Sequence, residues 1–519
     1  MHRKLVFLVV LLFPAVVAAE PPDSGIGIQS RIRKVIESAE ASVVAVVVSR
    51  TPYEGQSPED VARGRLGSYT PPDPFRSRRG FALQIPPEIK KLDLSDPANV
   101  ANNQFGSGLV LSENGHVLTN YHLVDGATKV YVRGAGGKGS YANIYAADSR
   151  SDLAVLKLLA PPDGLKPVRF AEARFVDGPG DAKATVRKGD FVVVVAHAQA
   201  AGFPDGSPSA SFGIVGNVGR RTLSQSVSDA DRIMQPLYKL GSLLHTDARL
   251  TVGVSGGAVL NLNGEVIGVT SSVAAVAGSE AAGGYAIPMD ANYRRIVESL
   301  KGGKEVEYGF LGVSTDPVAS GIGGGAVLSQ VTPGTPADKA GLRGGELGRM
   351  NADRIIAVDG HPVQDMDDLF LNIGAALAGS DVVVTVNRNG RTQDLTVRLA
   401  KFRNPQPWIA SVRPAAVFGL HVDYTSVLLQ DLIQAQDRMA GNAALPRGVV
   451  IRDVKPNSPA ERELKRGGED LSKWVITSVN DRAISIPSEF YAAARGKAVV
   501  RLKMIHTADP SRTREVTLK

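Results

Sequence analysis

The residues best suited to covalent chemistry lie in Gly253-Val254-Ser255-Gly256-Gly257. A serine flanked by glycines can expose its hydroxyl and let backbone N–H groups approach a reacting carbonyl. The pattern fits two unrelated settings. As a nucleophile elbow, Ser255 must end a strand, open a helix, and be followed in sequence by an acid and then a histidine. Downstream of Ser255 stand instead Ala258-Val259-Leu260, the turn Asn261-Leu262-Asn263-Gly264, and Glu265-Val266-Ile267-Gly268-Val269, a hairpin pattern with no helix. The downstream histidines His361, His421 and His506 all fall inside a repeated C-terminal region. The other setting needs a histidine and then an aspartate upstream of the serine. His122 sits where the run Val117-Leu118-Thr119-Asn120-Tyr121 passes from strand to turn, and Asp152 heads the strand-like run Leu153-Ala154-Val155-Leu156-Lys157. The order His122, Asp152, Ser255 therefore points to acyl transfer, with Ser255 as nucleophile, His122 as base and Asp152 as the group that orients it.

The elements around these residues are short strands. A short helix over 31–38 leads into Val43-Val44-Ala45-Val46-Val47-Val48, a β-branched run suited to a buried strand. Residues 51–101 are rich in Pro, Gly, Ser and Arg, carry no periodic core pattern, and read as a long loop insertion. From Phe105 to Pro288, short apolar runs alternate with turns such as Glu113-Asn114-Gly115 and Asp125-Gly126, which predicts an antiparallel barrel or sandwich. A helix over 290–300 closes this region. Beyond it, two stretches resemble each other: 309–360 and 418–481 share a Gly/Phe-containing start, a Val-rich strand, a Pro-Ala helix start and a second Val/Ile strand. A repeat of this length is a domain duplication, joined near Asn404-Pro405-Gln406-Pro407.

The bulk properties bound the reading. A chain of 519 residues predicts three or four domains. Its 43% apolar and 21% charged content is that of ordinary globular protein. The net charge of +7 is diffuse, and no Lys/Arg block with interleaved aromatics suggests a nucleic-acid partner. Cysteine is absent, which removes disulfides, thiolate metal sites and a cysteine nucleophile; no metal or other cofactor is implied. Met1-His2-Arg3-Lys4, an apolar run over 5–17 and Ala18-Ala19 form the three parts of a secretory signal over 1–19, too short for a stable membrane span. The expected location is exported, periplasmic or otherwise extracytoplasmic.

Taken in order, Phe105-Gly106-Ser107-Gly108, Leu118-Thr119-Asn120-Tyr121-His122-Leu123-Val124, Ser151-Asp152-Leu153-Ala154-Val155-Leu156-Lys157, Thr246-Asp247-Ala248, Gly253-Val254-Ser255-Gly256-Gly257 and Gly284-Tyr285-Ala286-Ile287-Pro288 resemble the HtrA/Deg family of trypsin-like serine proteases. The resemblance implies a multidomain, mainly β chain: a trypsin-like double β-barrel over 20–304, then two PDZ domains, each a partly open β-barrel with helices, over 305–403 and 410–519. It also implies an oxyanion hole from the N–H groups of Gly253 and Ser255, and S1 walls from Leu250 and Val273. Peptide C-termini would bind at Gly309-Phe310-Leu311-Gly312-Val313 and Phe418-Gly419-Leu420. Partners would be unfolded or damaged proteins, and the assembly a homotrimer or a multiple of trimers. Where the family usually has Asn, this chain has Val254; His421 replaces a more usual aliphatic residue, and 196–203 departs from the expected Gly-Asn-Pro-rich turn. Two readings are open: an ATP-independent endopeptidase, or a proteolytically silent holdase or peptide-binding scaffold.

Overall fold

The computed structural model describes residues 25–50, 93–96, 104–175, 185–197, 206–220, 236–240, 242–251, 253–271, 284–320, 324–345, 352–434, 446–465 and 470–519. The signal over 1–19, Val273, and all of the 51–101 insertion except 93–96 lie outside these residues.

The N-terminal half is two closed antiparallel barrels. The first contains β1 (Val43–Arg50), β2 (Gln104–Ser112), β3 (His116–Asn120), β4 (Ala127–Arg133), β5 (Gly139–Asp148) and β6 (Leu153–Leu158). Its strands run in the order β5-β4-β1-β2-β3-β6 and close through β5–β6. The second contains β7 (Phe191–Ala196), β8 (Ser209–Arg220), β9 (Leu243–Thr246), β10 (Ala258–Leu260), β11 (Val266–Thr270) and β12 (Gly284–Pro288), closed in the order β10-β11-β12-β9-β8-β7.

The run of valines in β1 is continuous because both of its faces are covered. Val44, Val46 and Val48 fill the first barrel, while Ala45 and Val47 meet Leu94 and Tyr131 on the outside. Leu94 is fully buried, and its N–H donates to Tyr141 Oη at 3.1 Å. The insertion, expected to lack core character, thus returns one core side chain to the barrel wall. The first helix, Gly25–Ala39, is longer than expected, and its Val35 and Ala39 join the core between the barrels. The helix Ala291–Lys301 is capped by Asp290, whose side chain accepts from the N–H of Tyr293. It buries Tyr293, Ile296, Val297 and Leu300, spaced along one helical stripe.

Two modules of one topology come next. In the first, strands Val313–Thr315, Ala326–Val331, Arg354–Val358, Asp381–Arg388 and Arg391–Arg398 are neighbours in that order. In the second, Leu420–Tyr424, Val449–Val454, Trp474–Val479, Val500–His506 and Thr513–Leu518 repeat it. The duplication extends to local chemistry. Thr335 and Ser458 cap matching helices that begin at Pro336 and Pro459. Gly312 and Gly419, with φ of 89° and 90°, lie so close to those caps that a Cβ would strike Thr335 or Ser458.

The junction between modules is not a free linker. Strand Trp408–Ala410 adds to the open side of β5, with Trp408 opposite Asp148. Below it lies a buried charge cluster: Lys401 Nζ is 2.9 Å from Glu305, 3.0 Å from Asp423 and 3.4 Å from Glu307, and Arg452 is 2.7 Å from Glu305. Burial opposes the Lys401 charge, but Asp423, Glu305 and Glu307 outweigh it and hold the ammonium above its usual pKa. Burial pushes the Glu307 carboxyl up. Replacing Lys401 with Met leaves three carboxylates facing Arg452 alone and should weaken the junction by about 3–5 kcal/mol at neutral pH. Burial already holds the Glu307 carboxyl above its usual pKa, and loss of the Lys401 ammonium that opposes this raises it further. The loss should therefore shrink as pH falls towards the ordinary carboxylate range, as urea unfolding of K401M at two pH values will show.

Candidate active site

Asp152 stands immediately before β6 in a left-handed conformation, φ 56°, and is buried. That turn aims its carboxylate at the short helix Tyr121–Val124. There it accepts the backbone N–H of His122 at 3.0 Å and faces His122 Nδ1 at 2.9 and 3.0 Å. A carboxylate only accepts, so Nδ1 carries the proton and Nε2 is left as the basic nitrogen. Two further donors fix Asp152: Asn120 Nδ2 at 3.3 Å and, from the second barrel, Ser271 Oγ at 3.1 Å. The helix bearing His122 is held from its other end by Arg50, which donates to the carbonyls of His122 and Leu123 at 2.9 Å each and to that of Asp125 at 2.5 Å.

Ser255 comes from the second barrel and is buried, at 4% exposure. Its loop is fastened across the interface by Ser107, part of the Phe105-Gly106-Ser107-Gly108 motif. Ser107 N–H donates to Ser255 O at 2.7 Å, Ser107 Oγ donates to Gly253 O at 3.1 Å, and the same oxygen accepts from His197 N–H at 2.9 Å. A Cβ on Gly106 would lie 3.0 Å from Ser255 O and collide with Leu123, the neighbour of His122. Gly256, φ 86°, passes so close to Ser107 O that no side chain fits. Of the three residues singled out by order, Asp152 and His122 thus meet directly, and the loop of Ser255 is tied across the seam between barrels to Ser107.

On its other side, the loop is held by Thr270. Thr270 Oγ donates to Val254 O and accepts from Gly257 N–H at 2.8 Å, while Gly256 N–H donates to Thr270 O at 2.9 Å. Val254 points into the interior, 5% exposed, so the loop takes its shape from backbone partners without an amide side chain at 254. Asn120, Ser271, Ser107, Thr270 and Arg50 are the residues that sequence reasoning missed as supports. Only Ser107 and Asn120 lay within motifs that could have flagged them.

Among the other expected site residues, Leu250 is half-buried, packs on the second barrel's core and covers Gly284, where a Cβ would strike it. In the first PDZ-like loop, Leu311 O accepts from Ala337 N–H at 2.9 Å and Gly312 O from Thr332 N–H at 3.0 Å; Gly309–Phe310 pairs with Ala400–Lys401, and Val313 opens the edge strand. In the second, Phe418 O and Gly419 O are held in the same way by Ala460 and Lys455, at 3.1 and 2.8 Å. There, however, Phe418 adopts φ 52°, and the N–H of Leu420 is consumed by Val417 O at 2.8 Å. His421 is engaged too, through Asp453 at 2.8 Å and Pro414 O at 3.2 Å. No group of His, Cys, Asp or Glu among the described residues could hold a metal ion.

Thr270→Val keeps the shape of the side chain but removes one of two partners from each of Val254 O and Gly257 N–H, which then keep only each other, at 2.9 Å. We expect a loss of about 2 kcal/mol in unfolding free energy and slower acylation of Ser255 by a fluorophosphonate, both measured against the unmodified chain.

Family models agree with this architecture. One for a trypsin-like peptidase domain matches residues 106–269, and one for a PDZ domain matches 309–399. A probable periplasmic serine endoprotease, DegP-like, from Brucella suis is 30% identical over 396 residues, covering 75% of this chain and 67% of that protein. A protein of the same description from Halomonas elongata is 26% identical over 498 residues, covering 93% of this chain and 90% of its own. Coverage of the relatives' own length falls as low as 63%. A solved structure, the HtrA-type protease AlgW with decapeptide, is 21% identical with a TM-score of 0.44, covering 72% of this chain and 98% of that one. The chain belongs to the HtrA/Deg family of serine endopeptidases.

Proposed function

We propose that this chain is an exported, ATP-independent endopeptidase that cuts unfolded or damaged proteins through an acyl-enzyme, with Ser255, His122 and Asp152 as its triad. The observation that carries this reading is the doubly fixed Asp152, bonded to His122 on its own barrel and to Ser271 on the barrel that supplies Ser255. A barrel kept only as a peptide-binding scaffold has no need of that constraint. In the first half-reaction, Ser255 Oγ bonds to the scissile carbonyl carbon as its proton passes to His122 Nε2. Collapse breaks the C–N bond, and His122 returns the proton to the leaving amine. Water repeats the sequence on the ester. The N–H groups of Gly253 and Ser255 are the donors proposed for the developing oxyanion, each worth about 3–4 kcal/mol in sites of this type.

Leu250, with Val273, is proposed to line S1 and to favour a small or medium apolar residue before the cut. The first PDZ module is proposed to take peptide C-termini at 309–313 by strand addition to its edge strand Val313–Thr315. For the second, the closed Val417–Leu420 turn supports a role in placement over carboxylate capture, since one of the amides needed is already used. The extracytoplasmic location rests on the signal-like residues 1–19 and on the periplasmic names of the relatives. Trimeric assembly remains part of the proposal through family likeness alone.

Purified protein beginning after Ala19 should degrade an unfolded casein-like substrate, and Ser255→Ala should abolish this. Asp152→Asn should lower kcat by about 10⁴ with little change in KM, because the neutral amide stabilises neither the required tautomer nor the imidazolium. Degradation that survives Ser255→Ala would refute the assignment.

A further inference from the structure

The turn that presents Asp152 is gripped from outside the barrels. Asp148, Arg150, Ser151 and Asp152 are all buried. Asp148 Oδ2 accepts from Ser151 N–H at 2.8 Å and Ser151 Oγ at 2.6 Å, which folds the turn, and Asp152 N–H closes it on Ser149 O at 3.3 Å. Leu237 N–H, from the protease half, donates to Arg150 O at 2.8 Å, and further partners of residues 148–150 come from the first PDZ module and the segments entering and leaving it. Tyr308 Oη donates to Asp148 Oδ2, and Asn404 Nδ2 donates to Asp148 Oδ1 at 3.2 Å. Pro407 O accepts from Ser149 N–H at 3.1 Å. The Arg150 guanidinium lies 5.1 Å from the Tyr308 ring centre and 4.6 Å from that of Phe402. A Cβ on Gly374, in the module's helix Met366–Ala375, would come within 2.8 Å of Arg150 Nη2.

From this geometry we infer that Tyr308 is a positioning residue for the reaction: through Asp148 it sets the turn that aims Asp152 at His122, so the seating of the first PDZ module is written into the catalytic rate. A carboxylate four residues ahead of Asp152 in a tight, buried turn cannot lose a partner without the turn relaxing. Relaxation of a few tenths of an ångström at Asp152 changes how the imidazole is held. The first module thereby acts on the aspartate's turn directly, by contacts made within one chain. This inference rests on the triad reading above.

The test uses the full exported chain and a chromogenic peptide too short to reach from the cleft to a PDZ groove. Tyr308→Phe removes the hydroxyl but keeps the ring against Arg150. We expect kcat to fall about tenfold with KM unchanged, since misplacement of a catalytic group acts on the transition state. In an Asp152→Asn background, with the rate followed by fluorophosphonate labelling, the same change should have almost no further effect, because Tyr308 acts through that carboxylate. Asn404→Ala, at a half-buried position, should show the same pattern more weakly, and it decides the matter if the thermal profile shows that Tyr308→Phe does not fold. An unchanged kcat, or an equal fractional loss in both backgrounds, would overturn the inference while leaving the triad intact. Failure of the unmodified chain to cleave the peptide would overturn the triad reading and this inference together.

Discussion

The structure depends on a seam. Ser255 and the pair His122–Asp152 belong to different barrels, so the proposed triad requires that two separately closed sheets be held in register. Ser107 provides most of that register from one side, with its amide on Ser255 O and its hydroxyl on Gly253 O. Ser271 provides it from the other, with its hydroxyl on Asp152. These bonds are buried, where an unmade partner costs more than a made one gains, so each barrel is stable in the position that satisfies the other. The glycines at 106 and 256 are consequences of the same closeness, for the backbones meet where no side chain fits.

From the seam, constraint runs outward to the C-terminal half. The turn carrying Asp152 is shared between the first barrel and the first PDZ module, and strand Trp408–Ala410 extends the barrel's sheet. Val306, Tyr308, Ala375 and Phe402 belong to the same apolar cluster as Leu118, Leu153 and Val195 from the barrels. The Lys401 cluster then ties in the second module through Asp423 and Arg452. The C-terminal modules and the two barrels are thus joined through packed side chains and buried charge, the kind of contact through which a change at one site is felt at another.

What was legible in the sequence was what is local. The β-branched run of β1, the turn glycines, the helix pattern over 290–300 and the motifs around His122, Asp152 and Ser255 each declare themselves over a short stretch of sequence. The order of those motifs was enough to choose a two-barrel fold over an elbow. What was not legible depends on distant partners. Leu94 sits in a Pro- and Arg-rich stretch, and its burial depends on where Tyr131 and Tyr141 leave room. Arg50 reads as the end of a strand, yet it caps a helix some 72 residues away. The Asn404-Pro405-Gln406-Pro407 segment reads as a linker, but the residues after it pair with β5. Val254 departs from the family's usual Asn, and the hydroxyl that reaches its carbonyl, on Thr270, belongs to a strand whose pattern speaks only of barrel core.

The central claim, that the seam assembles a reactive serine, is tested most directly by labelling the folded chain with a fluorophosphonate and mapping the adduct by peptide mass spectrometry. A single adduct on Ser255, lost in His122→Ala, is the predicted result. An adduct on another residue, or none in a chain whose thermal profile shows it folded, would contradict the account.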